Sequence, residues 1–207
     1  MSTQRVVDRF TGRILGAGSS SGLRFVVGDW QHSPLGGFTD VMIATAQGRR
    51  ILVAPDQGVV DYVTATYTFD EVVLAPVQLH ETGGGSRWHL EAGSLTVDLS
   101  IGLRTRTGWL LRAVPRPVAR SRTFATIVDP IARLVHPGVR TRGSAGNGRR
   151  EYYGAHDQHA VTRISGHWQG SDLGAVAPVT PAPRFGFSST PARPSLTTVT
   201  TTIVRTV

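Results

Sequence analysis

The sequence predicts a mainly β protein, an antiparallel barrel or sandwich of about eight short strands with one or two short helices. Turn-forming residues are abundant, with 24 glycines and 12 prolines. Together with many β-branched residues, they favour short strands joined by turns. The clearest signal is residues 94–103, in which polar and apolar residues alternate without interruption. Such alternation is typical of a strand in an antiparallel sheet with one buried face.

Further strand-like segments follow one another at short spacing along the chain. They are residues 23–30, 38–45, 49–54, 69–80, 86–92, 108–114 and 159–168. Gln47 and Gly48 predict a hairpin turn between the second and third of these segments, and the glycines of residues 81–85 predict another. In outline, such a series of strands with a short helix late in the chain is similar to lipocalin-type barrels. That resemblance concerns architecture and implies little about function.

Two short helices are expected between the strands. Asp129 is a good N-cap for a helix over residues 129–138, because Pro130 would occupy its first position and Pro137-Gly138 would end it. Asp56 is the candidate N-cap of a second helix, within residues 56–67.

The chain of 207 residues fits one domain. We expect a single antiparallel β domain over residues 1–177, a proline-rich extended connection over 178–195, and a threonine-rich strand over 196–207. That last strand would pair with the sheet or with another subunit, which would make a homodimer. With no apolar segment of membrane-spanning length and no apolar signal segment near the start, we expect a cytoplasmic protein without a membrane span.

The absence of cysteine excludes disulfides, cysteine zinc sites and thiol chemistry. The net charge is +8, and all 22 basic residues are arginines. Residues 99–150 hold eleven of these arginines and a single acid, Asp129. Such asymmetry indicates a surface that meets anions, because the guanidinium fork binds phosphate and carboxylate groups. Scattered, solvated arginines would explain the same count equally well.

Our first functional hypothesis is a non-enzymatic protein that binds a small amphipathic or anionic molecule inside the sheet. It needs no cofactor and no metal ion. The acidic group of the ligand would meet some of the arginines, and Asp98 would be a buried carboxylate if the polar face of its strand lined the interior. An exposed Asp98 is the simpler alternative. The candidate ligand-binding residues are Arg104, Arg106, Arg112, Arg149, Arg150 and Asp98.

The second hypothesis is an enzyme that uses a histidine-rich segment, residues 151–168. His156, Asp157 and His159, together with Tyr153 or its neighbour Tyr152, could act as general acid and base. A shared metal site is not expected, because His159 and His167 would lie about 26 Å apart along one strand. Surface histidines at the start of a strand are the simpler interpretation.

The third hypothesis is nucleic-acid binding through the arginine-rich residues 104–150. Arg149 and Arg150 stand beside two tyrosines, a combination found in proteins that bind single-stranded nucleic acid. Aromatic residues are nevertheless only 7% of the chain, and no established nucleic-acid motif is present.

Residues 13–30, near the N-terminus, are rich in glycine and serine and partly match two catalytic or cofactor-binding motifs. Gly16, Gly18 and Gly22 could cradle a phosphate, but a strand-like segment follows them where a dinucleotide site needs a helix. Ser20 lies in a G-x-S-x-G pattern, but too few residues precede it to build the sheet of a serine hydrolase. We expect a flexible, serine-rich hairpin loop at residues 18–22.

Overall fold

The computed structural model describes residues 5–119, 121, 123, 125–126, 129, 139–144, 146, 148–186 and 188–206. Within them the protein is mainly β. The helices are α1 Gln57–Thr64, α2 Arg106–Ala113 and α3 Arg116–Ala119. The strands are β1 Arg5–Ser19, β2 Arg24–His32, β3 Phe38–Ala44, β4 Arg50–Ala54, β5 Glu71–Leu74, β6 Val77–Thr82, β7 Arg87–Ala92, β8 Leu95–Arg104, β9 Arg142–Ser144, β10 Arg150–Trp168, β11 Ser171–Asp172, β12 Val176–Ala177 and β13 Ser195–Thr206.

Ten strands form one curled sheet, a half-barrel, in the order β5-β4-β3-β2-β1-β13-β10-β8-β7-β6. The short strands β9 and β11 pair with β10, and β12 pairs with β1. The predicted class is therefore confirmed, but two details are wrong. The described chain has thirteen strands instead of about eight, and the sheet is mixed because β4 and β5 are parallel. The helix α1 connects those two strands and returns the chain to run in the same direction.

Three long strands occupy the centre of the sheet. β13 lies between β1 and β10 and is hydrogen bonded to both along almost its whole length. The C-terminal strand is thus an internal part of the sheet. It has no free edge, so the homodimer expected through this strand has no pairing surface.

The main core lies on one face of the curled sheet, where buried apolar residues of eight strands pack together. The alternation in residues 94–103 is confirmed at its start, because Leu95, Val97 and Leu99 are buried while Thr96 and Asp98 are exposed. None of the helices among the described residues is long and apolar enough to span a membrane.

Residues 108–114 are predicted as a strand, but residues 108–113 belong to helix α2 and Val114 is its C-cap. The side chain of Thr105 caps this helix by accepting a hydrogen bond from the Gly108 amide at 2.9 Å. The helix predicted from Asp56 is confirmed as α1, with Asp56 accepting from the Val59 amide at 2.9 Å. Of the helix predicted over 129–138, all but Asp129 lies outside the described residues.

The hairpin loop predicted at residues 18–22 is shorter in the structure, because Gly18 and Ser19 belong to β1 and a turn at 20–22 joins β1 to β2. A strand follows this turn, as expected. Glycine is required within β1 because a Cβ atom on Gly18 would lie 2.4 Å from the Pro178 carbonyl oxygen. Replacing this glycine would push β12 away from β1.

Candidate ligand cavity

A cavity of about 460 Å³ lies on the face of the sheet opposite to the main core. Five adjacent strands, β3, β2, β1, β13 and β10, form its floor. One row of paired residues crosses all five strands and lines the cavity: Asp40, Gly28, Ile14, Thr197 and Gln158. Helix α1, helix α2, Phe185 and residues 188–191 supply walls of the cavity.

Alternation along the strands explains why both faces of this sheet are covered. In β2, Phe25 and Val27 are buried in the main core, while Val26 and Gly28 line the cavity. In β13, Val199 and Ile203 bring apolar groups to the same floor between threonines. Strands with apolar residues on both faces need a second layer, and helices α1 and α2, Phe185 and residues 188–191 provide it.

A carboxyl group is buried at the β3 end of the cavity floor. Asp40 is 1% exposed, and the Trp30 indole donates to its Oδ1 at 3.2 Å. Its Oδ2 is buried with no hydrogen-bond partner among the described residues. Burial raises the pKa of Asp40 to about 7. Glycine at position 28 makes room for this pair, because a Cβ there would lie 2.5 Å from Asp40 Oδ1.

A second buried carboxyl group lies at the β10 end of the floor. Glu151 is fully buried, and the hydroxyls of Tyr67 and Tyr153 both donate to its Oε2 at 3.0 Å. The two hydroxyls lie 2.8 Å from each other. Burial raises the pKa of Glu151 to about 7, against the opposing effect of the two tyrosine hydrogen bonds. Near neutral pH this group can therefore either hold or release a proton.

The two carboxyl groups occupy opposite corners of the cavity floor. Asp40 is in the row of Ile14, whereas Glu151 is in the row of Asp8, six residues earlier in β1. That offset corresponds to about 20 Å along the strands. The two carboxyl groups therefore lie at separate ends of the cavity, too far apart to contact the same atom.

Several hydroxyl groups of the cavity lining also lack partners. Within the described part of the chain, five lining side chains each have a buried polar atom without a hydrogen bond: Asp40, Ser189, Thr190, Ser195 and Thr201. Such an atom costs about 1–3 kcal/mol when it is left unsatisfied. A polar group brought in by a ligand would remove part of this cost.

The candidate catalytic residues do not meet in one pocket. Tyr153 lines the cavity beside Glu151. Asp157 instead accepts two hydrogen bonds from Arg104, at 2.7 and 2.9 Å, and this guanidinium lowers the pKa of the carboxyl group. His159 lies 3.8 Å from Asp157 and does not line the cavity.

His156 lies away from the cavity as well. Its Nε2 is 2.9 Å from the hydroxyl of Thr200, whose neighbours Val199 and Thr201 both line the cavity. Because successive residues of a strand point to opposite faces, Thr200 and its histidine partner lie on the other side of the sheet.

None of the candidate ligand-binding residues lines the cavity. Arg104 is paired with Asp157, and Arg112 lies 3.7 Å from the same carboxylate. Arg106 and Arg150 are exposed, at the starts of α2 and β10.

The remaining two candidates are bound to neighbouring side chains. Arg149 donates to the Tyr62 carbonyl at 3.0 Å and to the Thr66 hydroxyl at 2.7 Å. Asp98 has a side chain that is 66% exposed and lies 2.8 Å from His89 Nδ1, which raises the pKa of that histidine. The arginine that does line the cavity is Arg140.

Sequence reasoning missed both buried acids. Asp40 alternates with Phe38 and Met42 on one face of β3, so a buried acid could have been inferred from this pattern. Glu151 follows two arginines after a glycine-rich stretch, a context typical of a loop, and no local signal marks it as buried. Among the described residues, no group of three or more histidine and acidic side chains is arranged to hold a metal ion.

No family model matches the sequence, and no curated protein matches it significantly. Among solved structures, the chain is similar to a crystal structure of a presumed AttH from Nitrosomonas europaea, with 13% identity and a TM-score of 0.27. The match covers 96% of this chain and 50% of that one, so the chain spans about half the length of this structure. A likeness this weak carries no argument about function.

Proposed function

We propose that this protein is a non-enzymatic binding protein for a small amphipathic molecule. The apolar body of the ligand would lie on the five-stranded floor of the cavity, and an uncharged oxygen group would meet Asp40. The observation that carries the proposal is the unpartnered Oδ2 of Asp40 inside an otherwise largely apolar cavity. Pockets that hold small molecules are commonly of this kind, with a few polar groups placed in an apolar lining.

The size and lining of the cavity support this class of ligand. About 460 Å³ lies within the range of small-molecule sites. The apolar residues that line the floor and walls include Phe10, Ile14, Val26, Met42, Leu111, Val199 and Phe185. Their contact with an apolar ligand would stabilise the complex by about 25 cal/mol for each Å² removed from water.

The protonation of the buried acids determines which polar groups fit. With a pKa of about 7, Asp40 can donate a hydrogen bond to a carbonyl or accept one from a hydroxyl near neutral pH. A ligand carboxylate at this position would be repelled once Asp40 ionised. An anionic end of the ligand would fit better beside Arg140, the exposed arginine of the lining.

The test is titration of the protein with N-phenyl-1-naphthylamine, a neutral apolar probe whose fluorescence rises in apolar surroundings. In Val26→Trp, the larger side chain fills the cavity, and we expect at least tenfold weaker probe binding. Val72→Trp is the matched control, because Val72 is 43% exposed on β5 and does not line the cavity. Circular dichroism would confirm that both variants are folded.

Equal probe binding by the wild type and both variants would overturn the proposal. Displacement of the probe by a long-chain alcohol, a methyl ketone and a carboxylate of equal length would then identify the polar group. We expect the alcohol and the ketone to displace it more strongly than the carboxylate at pH 8, where Asp40 is ionised.

A general acid–base enzyme acting in the same cavity is the second candidate. It is favoured by the contact of Glu151 with Tyr67 and Tyr153, since a buried carboxyl group with a pKa near 7 can transfer protons at neutral pH. Molecules that displace the probe would be incubated with the protein and followed by mass spectrometry. Turnover that Glu151→Gln abolishes would establish the enzyme, and recovery of every molecule unchanged would exclude it for those compounds.

A further inference from the structure

An exposed apolar surface lies where β8 ends and α2 begins. Leu103 is 88% exposed, Trp109 is 61% exposed and Leu110 is 73% exposed. Arg106, Trp109, Leu110 and Ala113 have the spacing of one helical face, and all four are exposed. One mainly apolar face of helix α2 is thus exposed. We call Leu103, Trp109 and Leu110 the apolar patch.

Arginines accompany the apolar patch along the chain. Residues 99–128 contain six arginines and no acid. The guanidinium of Arg104 lies 4.6 Å from the centre of the Trp109 ring and holds the ring beside the end of β8. Arg104 is neutralised by Asp157, and Arg112 lies 3.7 Å from the same carboxylate with a side chain that is 61% exposed. Arg106 is exposed at the start of α2.

We propose that the apolar patch and its arginines dock the protein on an anionic lipid surface. Leu103, Trp109 and Leu110 would enter the interfacial region of the bilayer, where the amphipathic ring of tryptophan is most stable. Arg106 and Arg112 would pair with lipid phosphates, which arginine can bind through two hydrogen bonds. Charge complementarity thus selects anionic lipid as the partner, and the leucines favour a bilayer over a nucleic acid, whose polar backbone and base edges offer them little contact.

The position of α2 beside the cavity supports this partner. Thr107, Leu110, Leu111 and Val114 line the cavity, so the proposed docking helix is also a wall of it. Leu110 belongs to the apolar patch as well as to the lining, which places the patch at the mouth of the cavity. Docking would therefore bring that mouth to a bilayer, from which an apolar ligand could enter. This last step rests on the proposed binding function, whereas the docking itself does not.

The experiment is sedimentation of the full chain with vesicles of phosphatidylcholine alone or mixed with phosphatidylglycerol. We expect binding to the mixed vesicles that weakens with added salt, and little binding to phosphatidylcholine alone. The double variant Trp109→Ser/Leu110→Ser should bind mixed vesicles at least tenfold more weakly, as should Arg106→Glu/Arg112→Glu. The matched controls are Leu74→Ser, 57% exposed on β5, and Arg163→Glu, exposed on β10, and both should bind like the wild type.

Four results would overturn the proposal, three of them from the binding measurements. These are the absence of binding to mixed vesicles, equal binding by the patch variants and their controls, and binding to a single-stranded oligonucleotide without binding to vesicles. A dimer in solution that dissociates in Trp109→Ser/Leu110→Ser would also overturn it, because the patch would then be an interface between two copies. Val26→Trp should lose probe binding but retain vesicle binding, so failure of the cavity proposal and failure of docking are distinguishable.

Discussion

The indole nitrogen of Trp30 donates a hydrogen bond to Asp40 across 3.2 Å, inside the cavity and on neighbouring strands. This single bond satisfies only one oxygen of a carboxyl group that is almost completely buried. The pair therefore orients the acid without neutralising it, and Oδ2 is left without a hydrogen-bond partner among the described residues.

The first prediction concerns the pH dependence of stability in Asp40→Asn. The folded pKa of about 7 lies above the ordinary value of 3.8, so the folded state holds this proton more tightly than the unfolded state. The stability contributed by proton retention is complete below pH 4 and is lost as the pH rises to 7. Asparagine has no such proton and can still accept from Trp30.

We expect the free energy of unfolding of Asp40→Asn to exceed that of the wild type at pH 8 by about 4 kcal/mol, because the pKa is raised by about three units and each unit is worth about 1.4 kcal/mol. The difference should shrink towards zero at pH 4. Urea denaturation at pH 4, 6 and 8 measures it. A constant difference over this range would show that Asp40 is not a buried acid with a raised pKa.

The second prediction concerns Tyr67→Phe. This change removes one donor to Glu151, so the pKa of the acid should rise further above its ordinary value. The loss of stability should be about 1–2 kcal/mol at pH 8, where the carboxylate is charged, and smaller at pH 5, where it is neutral. Denaturation at the two pH values measures this, with Tyr152→Phe as the control. Equal losses at both values would contradict a charged acceptor at position 151.

The third prediction concerns the close approach of β1 and β12. Gly18→Ala should reduce the free energy of unfolding by about 1–3 kcal/mol, because the new Cβ would lie 2.4 Å from the Pro178 carbonyl oxygen. Gly37→Ala is the control, since the nearest atom to its Cβ would be 3.4 Å away. If both variants unfold at the same denaturant concentration as the wild type, the pairing of β12 with β1 is wrong.

The fourth prediction concerns the start of α2. Thr105→Ala should destabilise the protein locally by about 1 kcal/mol, because it removes the N-cap and the bond from Thr105 to the Gln158 side chain at 2.8 Å. Amide hydrogen exchange should become faster within residues 106–113, and Thr105→Ser should restore protection. Unchanged exchange in the alanine variant would show that Thr105 does not hold the helix.

Local patterns predicted the elements that depend on local chemistry. Alternation identified β8, and an acid three residues before a buried valine identified the start of α1 at Asp56. The sequence pattern predicts a strand in place of helix α2, because the apolar residues 109–111 are consecutive and follow neither the helical period of about 3.6 residues nor the strand period of about 2 residues. Its cap, Thr105, follows a strand directly and gave the only local sign of a helix start.

The site could not be assembled from the sequence, because its floor depends on the pairing of strands that are distant along the chain. Ile14 and Thr197 are neighbours only because the C-terminal strand enters the sheet beside the N-terminal one. The sequence interpretation of the arginine-rich segment was based on its charge. In the structure, the apolar side chains between the arginines, such as Leu110 and Leu111 of α2, line the cavity. Buried acids such as Glu151 are recognised only once the partners that cover them are known.

The most direct test of the account is a crystal structure of the protein with N-phenyl-1-naphthylamine. We predict electron density for the probe between the floor formed by β1 and β13 and the wall formed by α2, in contact with Val26 and Val199. Density for the probe only on the exposed surface at Trp109, with none beside Val26, would contradict the proposal that the cavity is the binding site.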